Sequence, residues 1–325
     1  MKPKYTTIAV IALLALFPLL IASDYYRHIV IIALMWVVIG SSWNLLAGYT
    51  GQVSFGHAIF FGVGAYAAGL CTTKLGISAW WGLLLGGPAA MIFGFLMGCI
   101  CFRLRGAYFA LATLAIAETL RLVAKSWTSL TEGMMGILMM QTFRSKVPYY
   151  YLALALAVVC VLAIYWISKA KWGYYFVAIR EDQDAAEALG INSFLYKTYS
   201  LLVSSFFTGL AGAFYMIYMG FIDPEVVFNL HHISIMAILV GIIGGAGLIW
   251  GPPVGAFIMV LVQELFRSSF FGMAPKWVSE AHAMAFGVLV IVVIQFMANG
   301  VVGDWYKIRA LWSRDKAIPS GTSGN

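Results

Sequence analysis

The residues able to do chemistry are few and widely spaced. Glu118 and Arg121 stand three apart in an otherwise apolar stretch, so on a helix they share a face. An ionisable group in lipid is costly and turns toward the bundle interior or the interface. The pair can neutralise itself, can snorkel at the outer end of its helix, or can meet a zwitterion in a pathway. Ser54 and His57 form a close hydroxyl–imidazole pair, but no acid is placed to orient the imidazole, so a membrane-embedded hydrolase has no triad to rest on there. His231 and His232 are adjacent, and adjacent side chains do not converge on one metal. Cys71, Cys99, Cys101 and Cys160 fall in or beside apolar runs without a CxxC spacing and read as small hydrophobes. Gly244-Gly245-x-Gly247 looks superficially like a nucleotide loop but lacks the lysine and the βαβ setting. No G-x-x-x-x-G-K-[ST] occurs anywhere in the chain, so it carries no nucleotide site of that kind.

The elements that hold these residues are apolar. Of 325 residues 62% are hydrophobic and only 10% charged, far below the quarter or so of a soluble domain. Such a chain cannot clothe a water-soluble fold of its length, which excludes a soluble enzyme, a nucleic-acid-binding domain and a disordered segment. The expectation is an all-α polytopic membrane bundle of about ten transmembrane or re-entrant helices, each satisfying its own backbone. The apolar runs are 6–22, 29–47, 57–73, 79–101, 107–124, 148–167, 198–219, 233–249, 253–267 and 280–299, the eighth and ninth forming a hairpin at Gly251-Pro252-Pro253. Met1-Lys2-Pro3-Lys4 resembles the start of a signal peptide, but no cleavage site follows, so the first run is read as an anchor. Trp80, Trp81, Trp127, Tyr149, Tyr150, Tyr151, Trp305 and Trp312 near the run ends form an interfacial belt.

The net charge of +7 sits in short loops and tails. With the N-terminus in the cytoplasm and the runs alternating, the inner loops hold more Lys and Arg than the outer ones, Arg103 and Arg105 among them. The positive-inside rule accounts for this charge without nucleic acid, and an even count places both termini inside. Residues 1–305 form the transmembrane domain and 306–325 a cytoplasmic tail, Ser/Gly-rich after Ile318. Glu264, near the end of its run, is interfacial.

Two segments break the pattern. The longest polar insert on the inner side, 168–197, centres on Arg180-Glu181-Asp182-Gln183-Asp184-Ala185-Ala186-Glu187-Ala188-Leu189-Gly190. Acidic residues in the first turn, alanines in the middle and a glycine at the end describe a short helix. It is too short to stand alone in water and must dock on something, and Ala185 and Ala186 present a small face for close approach. The other segment runs from Asn44 through Gly51, Gln52, Ser54, Phe55 and His57, with glycines at 48, 51, 56, 62, 64 and 69. Polar broken backbone at membrane depth faces protein or a wet cavity. It therefore reads either as a pathway lining, with Glu118 and Arg121, or as a tight inner turn followed by a packing face.

Asp184-Ala185-Ala186, three residues and then Gly190 resemble the EAA loop of binding-protein-dependent ABC importer permeases. Asp184 replaces the usual glutamate. The Ile-x-Leu-Pro tail is absent, since the chain reads Tyr199-Ser200-Leu201-Leu202, which argues against a standard sugar or peptide permease. Trp43–Gly48, Gly51–His57, Arg105–Leu114, Ala185–Gly190, and Gly244–Gly247 with Gly251-Pro252 are similar to the branched-chain amino acid permease family of ABC importers. Within it the chain looks most like the member that pairs with a second homologous permease. The resemblance implies two ATP-binding cassette ATPase subunits that carry ATP and Mg, a periplasmic or surface-tethered substrate-binding protein, and residence in a bacterial or archaeal plasma membrane. It also implies a coupling role for Arg180, Glu181, Asp182, Asp184, Ala185, Ala186 and Gly190, with no cofactor in this chain. Relatives assigned to urea, short amides or aromatic acids leave the substrate open. A stand-alone secondary transporter or channel is the alternative of another class, and would want more buried titratable groups.

Overall fold

A computed structural model describes residues 3–21, 23–140, 142–267, 287 and 300–304. Its helices are α1 (Pro3–Leu20), α2 (Asp24–Asn44), α3 (His57–Thr73), α4 (Ala79–Cys101), α5 (Ala107–Ser126) and the short α6 (Thr128–Thr131). Then come α7 (Lys146–Lys169), α8 (Lys171–Glu181), α9 (Gln183–Ala188), α10 (Ser193–Met219), α11 (Pro224–Val227), α12 (Met236–Gly244), α13 (Gly251–Arg267) and α14 (Gly300–Gly303). Among the described residues six helical segments are long and apolar enough to cross a bilayer: Asp24–Tyr49, α4, α5, α7, α10 and Pro224–Gly244. Three more apolar helices are shorter, Ile11–Leu20, α3 and Gly251–Leu265. The count of ten crossings is therefore not established. The run expected at 280–299 and the tail at 306–325 lie outside the described residues, apart from Gly287 in the run.

The centre of the bundle is α2, α3, α4 and α10, and glycines set its spacing. A methyl on Gly64 would overlap the Gly209 carbonyl, and one on Gly212 the Phe61 carbonyl. Such small residues let helix backbones approach where lipid offers no hydrophobic drive to association. By contrast α5 buries only a narrow stripe, Phe109, Thr113, Ala117 and Ala124.

Contacts between distant segments sort the loops into two ends. At one end Arg105 reaches Asp184, Arg180 reaches Gly48, and Asn44 reaches the 245–250 turn. Gly300 lies against Gly245 at this end too. At the other end Lys74 pairs with Glu132, Lys125 with Glu225, Lys146 with the Asp24 carbonyl, and Tyr25 with Glu264. This is the partition that strict alternation of the expected runs requires.

Three features depart from the expectation. The insert 168–197 holds two helices rather than one, because α8 has an apolar face of its own that buries Phe176 and Ile179. The helix after α11 begins as a π-turn, Leu230–Ile235, and α12 proper is only nine residues long. At the end that carries Lys74 and Glu225 an antiparallel pair, β1 (Ile137–Leu138) and β2 (Phe221–Ile222), ties the loop after α6 to the end of α10. The hairpin expected at Gly251 is present: Gly245 and Gly247 have φ of 120° and 77°, and α12 and α13 pack so closely that a methyl on Gly244 would strike the Gly251 carbonyl.

Candidate coupling site

The polar loop is built from its own capping residues. Asp182 is the N-cap of α9, its carboxylate accepting from the Ala185 amide at 3.0 Å. Gly190 closes the helix with φ of 86°, a left-handed cap that any side chain would strain. The Ile191 amide then bonds back to the Ala186 carbonyl at 3.0 Å. Two residues on, the Asn192 side chain caps α10 by accepting from the Leu195 amide at 3.0 Å. One helix thus ends and the next begins within four residues.

Side chains lash this turn to the bundle. Lys197, almost wholly buried at the start of α10, donates to Gln183 Oε1 at 2.6 Å. The Gln183 amide donates in turn to Glu187 at 2.8 Å, and the Ser193 hydroxyl donates to the same carboxylate. These two donors, the Ser193 bond first, hold the Glu187 carboxyl below its ordinary range. Arg105, from the turn before α5, pairs with Asp184 at 2.7 Å.

The coupling residues expected from sequence divide by direction. Glu181, Asp182, Asp184, Ala185 and Gly190 are exposed on one surface. Ala186 turns inward at 3% exposure and offers no face to a partner, a correction that follows from the helical register: it lies about 100° around the helix from Ala185. Arg180 is exposed as well, while its Nη1 reaches the Gly48 carbonyl. Leu189 was missed and is 83% exposed beside Gly190. A lone leucine among charges in a polar loop was the signal for it. Gln183, Ser193 and Lys197 were missed as well, since their pairing needs the turn to close.

The second segment is a helix that stops being one. After Asn44 the chain makes a π-turn, Leu45–Tyr49, then runs unwound to His57. Such turns release backbone carbonyls, and each needs a donor. Ser204 donates to the Ser42 carbonyl at 2.7 Å, Ser200 to Leu45 at 3.1 Å, Thr50 to Leu46 at 2.5 Å, and Arg180 to Gly48 at 2.8 Å. Trp43 folds over the unwound stretch and donates to the Ser54 carbonyl at 3.1 Å. Asn44 stitches this break to the one after α12, accepting from the Gly247 amide at 2.8 Å and donating to the Leu248 carbonyl at 2.9 Å.

Of the residues expected to line a pathway, Asn44, Ser54 and His57 are therefore committed inside the protein. His57 Nε2 meets Ser204 Oγ at 2.9 Å, and the Ser54 hydroxyl accepts from the Gly56 amide at 3.0 Å. Gly51 is exposed at the end that carries α9, and Gln52 and Phe55 are half-buried there. Glu118 and Arg121 do pair, but they extend to the opposite end, where Glu225 of α11 joins Arg121 and Lys125. The structure thus brings together Arg180, Gly48, Gly51 and Asn44 at one end, and leaves Glu118 and Arg121 at the other. Among the described residues no three His, Cys, Asp or Glu converge on a metal site.

A polar helix on the end of a glycine-packed bundle is the layout of a transport subunit, and the comparisons decide which. Residues 25–297 match the family described as branched-chain amino acid transport system / permease component. The chain belongs to this family. It is a transport subunit, not an enzyme, and a membrane protein. It is 27% identical over 296 residues to the high-affinity branched-chain amino acid transport system permease protein LivM of Escherichia coli, covering 82% of this chain and 69% of that one. LivM of Salmonella typhimurium is 26% identical over the same length and shares. The nucleoside ABC transporter permease protein NupC of Lactococcus lactis is 30% identical over 112 residues, about a third of each chain. No solved structure matches. For a family permease the two breaks acquire meaning: the match spans both, and the loop helix lies at the same end.

Proposed function

We propose that this permease is one half of the membrane channel of an ATP-driven importer for branched-chain or related hydrophobic amino acids. It pairs with a second, homologous permease, docks on two ATPase subunits that hold ATP and Mg, and receives substrate from a soluble or tethered binding protein. The observation that carries the reading is α9: a capped six-residue helix projecting Asp184, Ala185 and Leu189 from the bundle end that also gathers Arg103, Arg105, Lys169, Lys171 and Arg180. A helix this short gains its stability from what it packs on, and among the described residues its exposed face is met by Arg105, which pairs with Asp184, while Ala185 and Leu189 stay open. The cationic loops support placing that end, and both termini, in the cytoplasm. The exposed members Glu181, Asp182, Asp184, Ala185 and Gly190 make the docking surface, Ala186 seats it from within, and the exposed Arg180 ties it to Gly48.

The test is reconstitution. The two permeases and the ATPase subunits are co-purified, placed in liposomes with the binding protein, and supplied with labelled leucine, urea, phenylalanine or a nucleoside. ATP-dependent leucine uptake supports the reading. Uptake of another solute reassigns the substrate and keeps the importer. Gradient-driven uptake by this chain without ATPase would replace the importer with a secondary transporter.

A further inference from the structure

We propose that Arg180 is a positioning residue that joins the docking loop to both breaks in the membrane helices, so that α9, the end of α2 and the turn after α12 move as one body. The inference rests on the importer reading above, and adds to it the route by which the loop acts.

The guanidinium is divided between two tasks. Nε and Nη2 bond Glu181 Oε1 at 3.0 and 2.6 Å, which holds the plane of the group. Nη1 donates to the Gly48 carbonyl at 2.8 Å, at the end of the π-turn. Planar, forked donation of this kind belongs to arginine and not to lysine.

The far side of the joint leaves no slack. A methyl on Gly48 would overlap both the Asn44 side-chain oxygen and the Gly247 amide. A methyl on Gly247 would stand 2.9 Å from Arg180 Nη1, and one on Gly51 3.0 Å from Arg180 Cγ. The backbone of each break is thus pressed against the same side chain, and Asn44 pins one break to the other with two bonds. Gly51 and Gly247, with φ of 71° and 77°, hold left-handed backbone that a side chain would strain, so the joint is fixed in this geometry. A force on α9 meets Arg180 two residues before the Asp182 cap, and from there reaches α2 and α12 through direct contacts alone. The joint has one stitched geometry, and breaking any stitch should release both breaks from the loop.

The test uses the full assembly in liposomes with labelled leucine, reading uptake per ATP hydrolysed together with co-purification of the ATPase subunits. Arg180→Ala is expected to keep the ATPase subunits bound and to lower uptake per ATP by about tenfold. Arg180→Lys recovers only part of this, because one ammonium cannot serve Gly48 and Glu181 together. Asn44→Asp, which cannot donate to Leu248, lowers the ratio in the same direction. The double variant falls no further than the worse single, since both cut one path. Unchanged uptake per ATP in Arg180→Ala, full rescue by lysine, or losses that multiply in the double variant would overturn the proposal while leaving the importer standing. Loss of the ATPase subunits from Arg180→Ala would make Arg180 a docking residue and would also overturn it. A wild-type assembly without ATP-dependent uptake removes both readings.

Discussion

Arg121 of α5 meets Glu225 of α11 across 104 residues of chain. Glu225 also takes Lys125, and Arg121 also takes Glu118, so four charges close one network at the end of the bundle away from α9. The narrow buried stripe of α5 gives it little other hold on the bundle. This network and the Arg105–Asp184 pair secure the helix at its two ends.

Glu225→Gln removes the acid that serves two cations on another helix, whereas Glu118→Gln removes one partner within the same helix. Partly exposed pairs are worth little each, so the expected cost of Glu225→Gln is about 1 kcal/mol, and less for Glu118→Gln. Thermal unfolding in detergent checks the order. An equal or reversed effect would show that α11 is held by something else.

Neighbouring alanines in α9 should behave in opposite ways. Ala186→Glu forces a carboxylate into a position only 3% exposed and is expected to lower the yield of folded permease. Ala185→Glu points outward, keeps the fold, and prevents the ATPase subunits from co-purifying. The sequence alone assigns both to one docking face, so size-exclusion profiles of the two variants separate the readings.

Gly64→Val is expected to abolish the approach of α3 to α10. Its side chain would enter the Gly209 backbone, which has no rotamer to move. Overpacking of this rigidity costs at least about 3 kcal/mol. The check is monodispersity of the expressed variant beside Gly76→Ala. Gly76 has positive φ, at 64°, and among the described residues nothing lies within 4 Å of an added methyl, so only backbone strain is added.

Glu187 predicts an acid-sensitive loop. Its folded carboxyl lies below the ordinary 4.5 because Ser193 and Gln183 donate to the charged form. A depressed carboxylate contributes stability that is present above the ordinary value and lost as pH falls through the lowered one. Hydrogen exchange of amides 183–193 should therefore stay protected at neutral pH and open below the ordinary carboxylate range. Glu187→Gln should remove the pH dependence. Protection unchanged in acid would mean that the caps Asp182 and Asn192 do not depend on this bond.

Leu189→Cys in a chain freed of Cys71, Cys99, Cys101 and Cys160 should react with a membrane-impermeant maleimide only from the cytoplasmic side. Its 83% exposure makes it an open reporter in the isolated permease. Bound ATPase subunits should slow the reaction. Labelling from outside would invert the topology and remove the docking surface from the reach of ATP.

Much of this was legible residue by residue. The bounds of α3 and α4 match their apolar runs, because a lipid-spanning helix is written in consecutive side chains. The acid-alanine-glycine stretch announced α9, and Gly190 its end. Other features were not legible because they depend on two segments meeting. Ala186 turns inward only because α9 lies on the start of α10. That Ser204 meets His57 and Gly247 meets Asn44 is set only by how the helices pack. The π-turn at Leu45–Tyr49 had no local signal beyond the glycines that follow.

By itself the sequence determined the class of solvent, the helical character, the alternation of ends and the presence of a capped polar helix, since each rests on composition or on neighbours within a few residues. The tertiary structure alone decided that Gly48 and Gly247 touch, that Arg180 reaches both, and that Glu225 closes the charge network on α5. Those contacts join residues scores to hundreds apart, and which carbonyl a freed donor finds is set by how the helices pack.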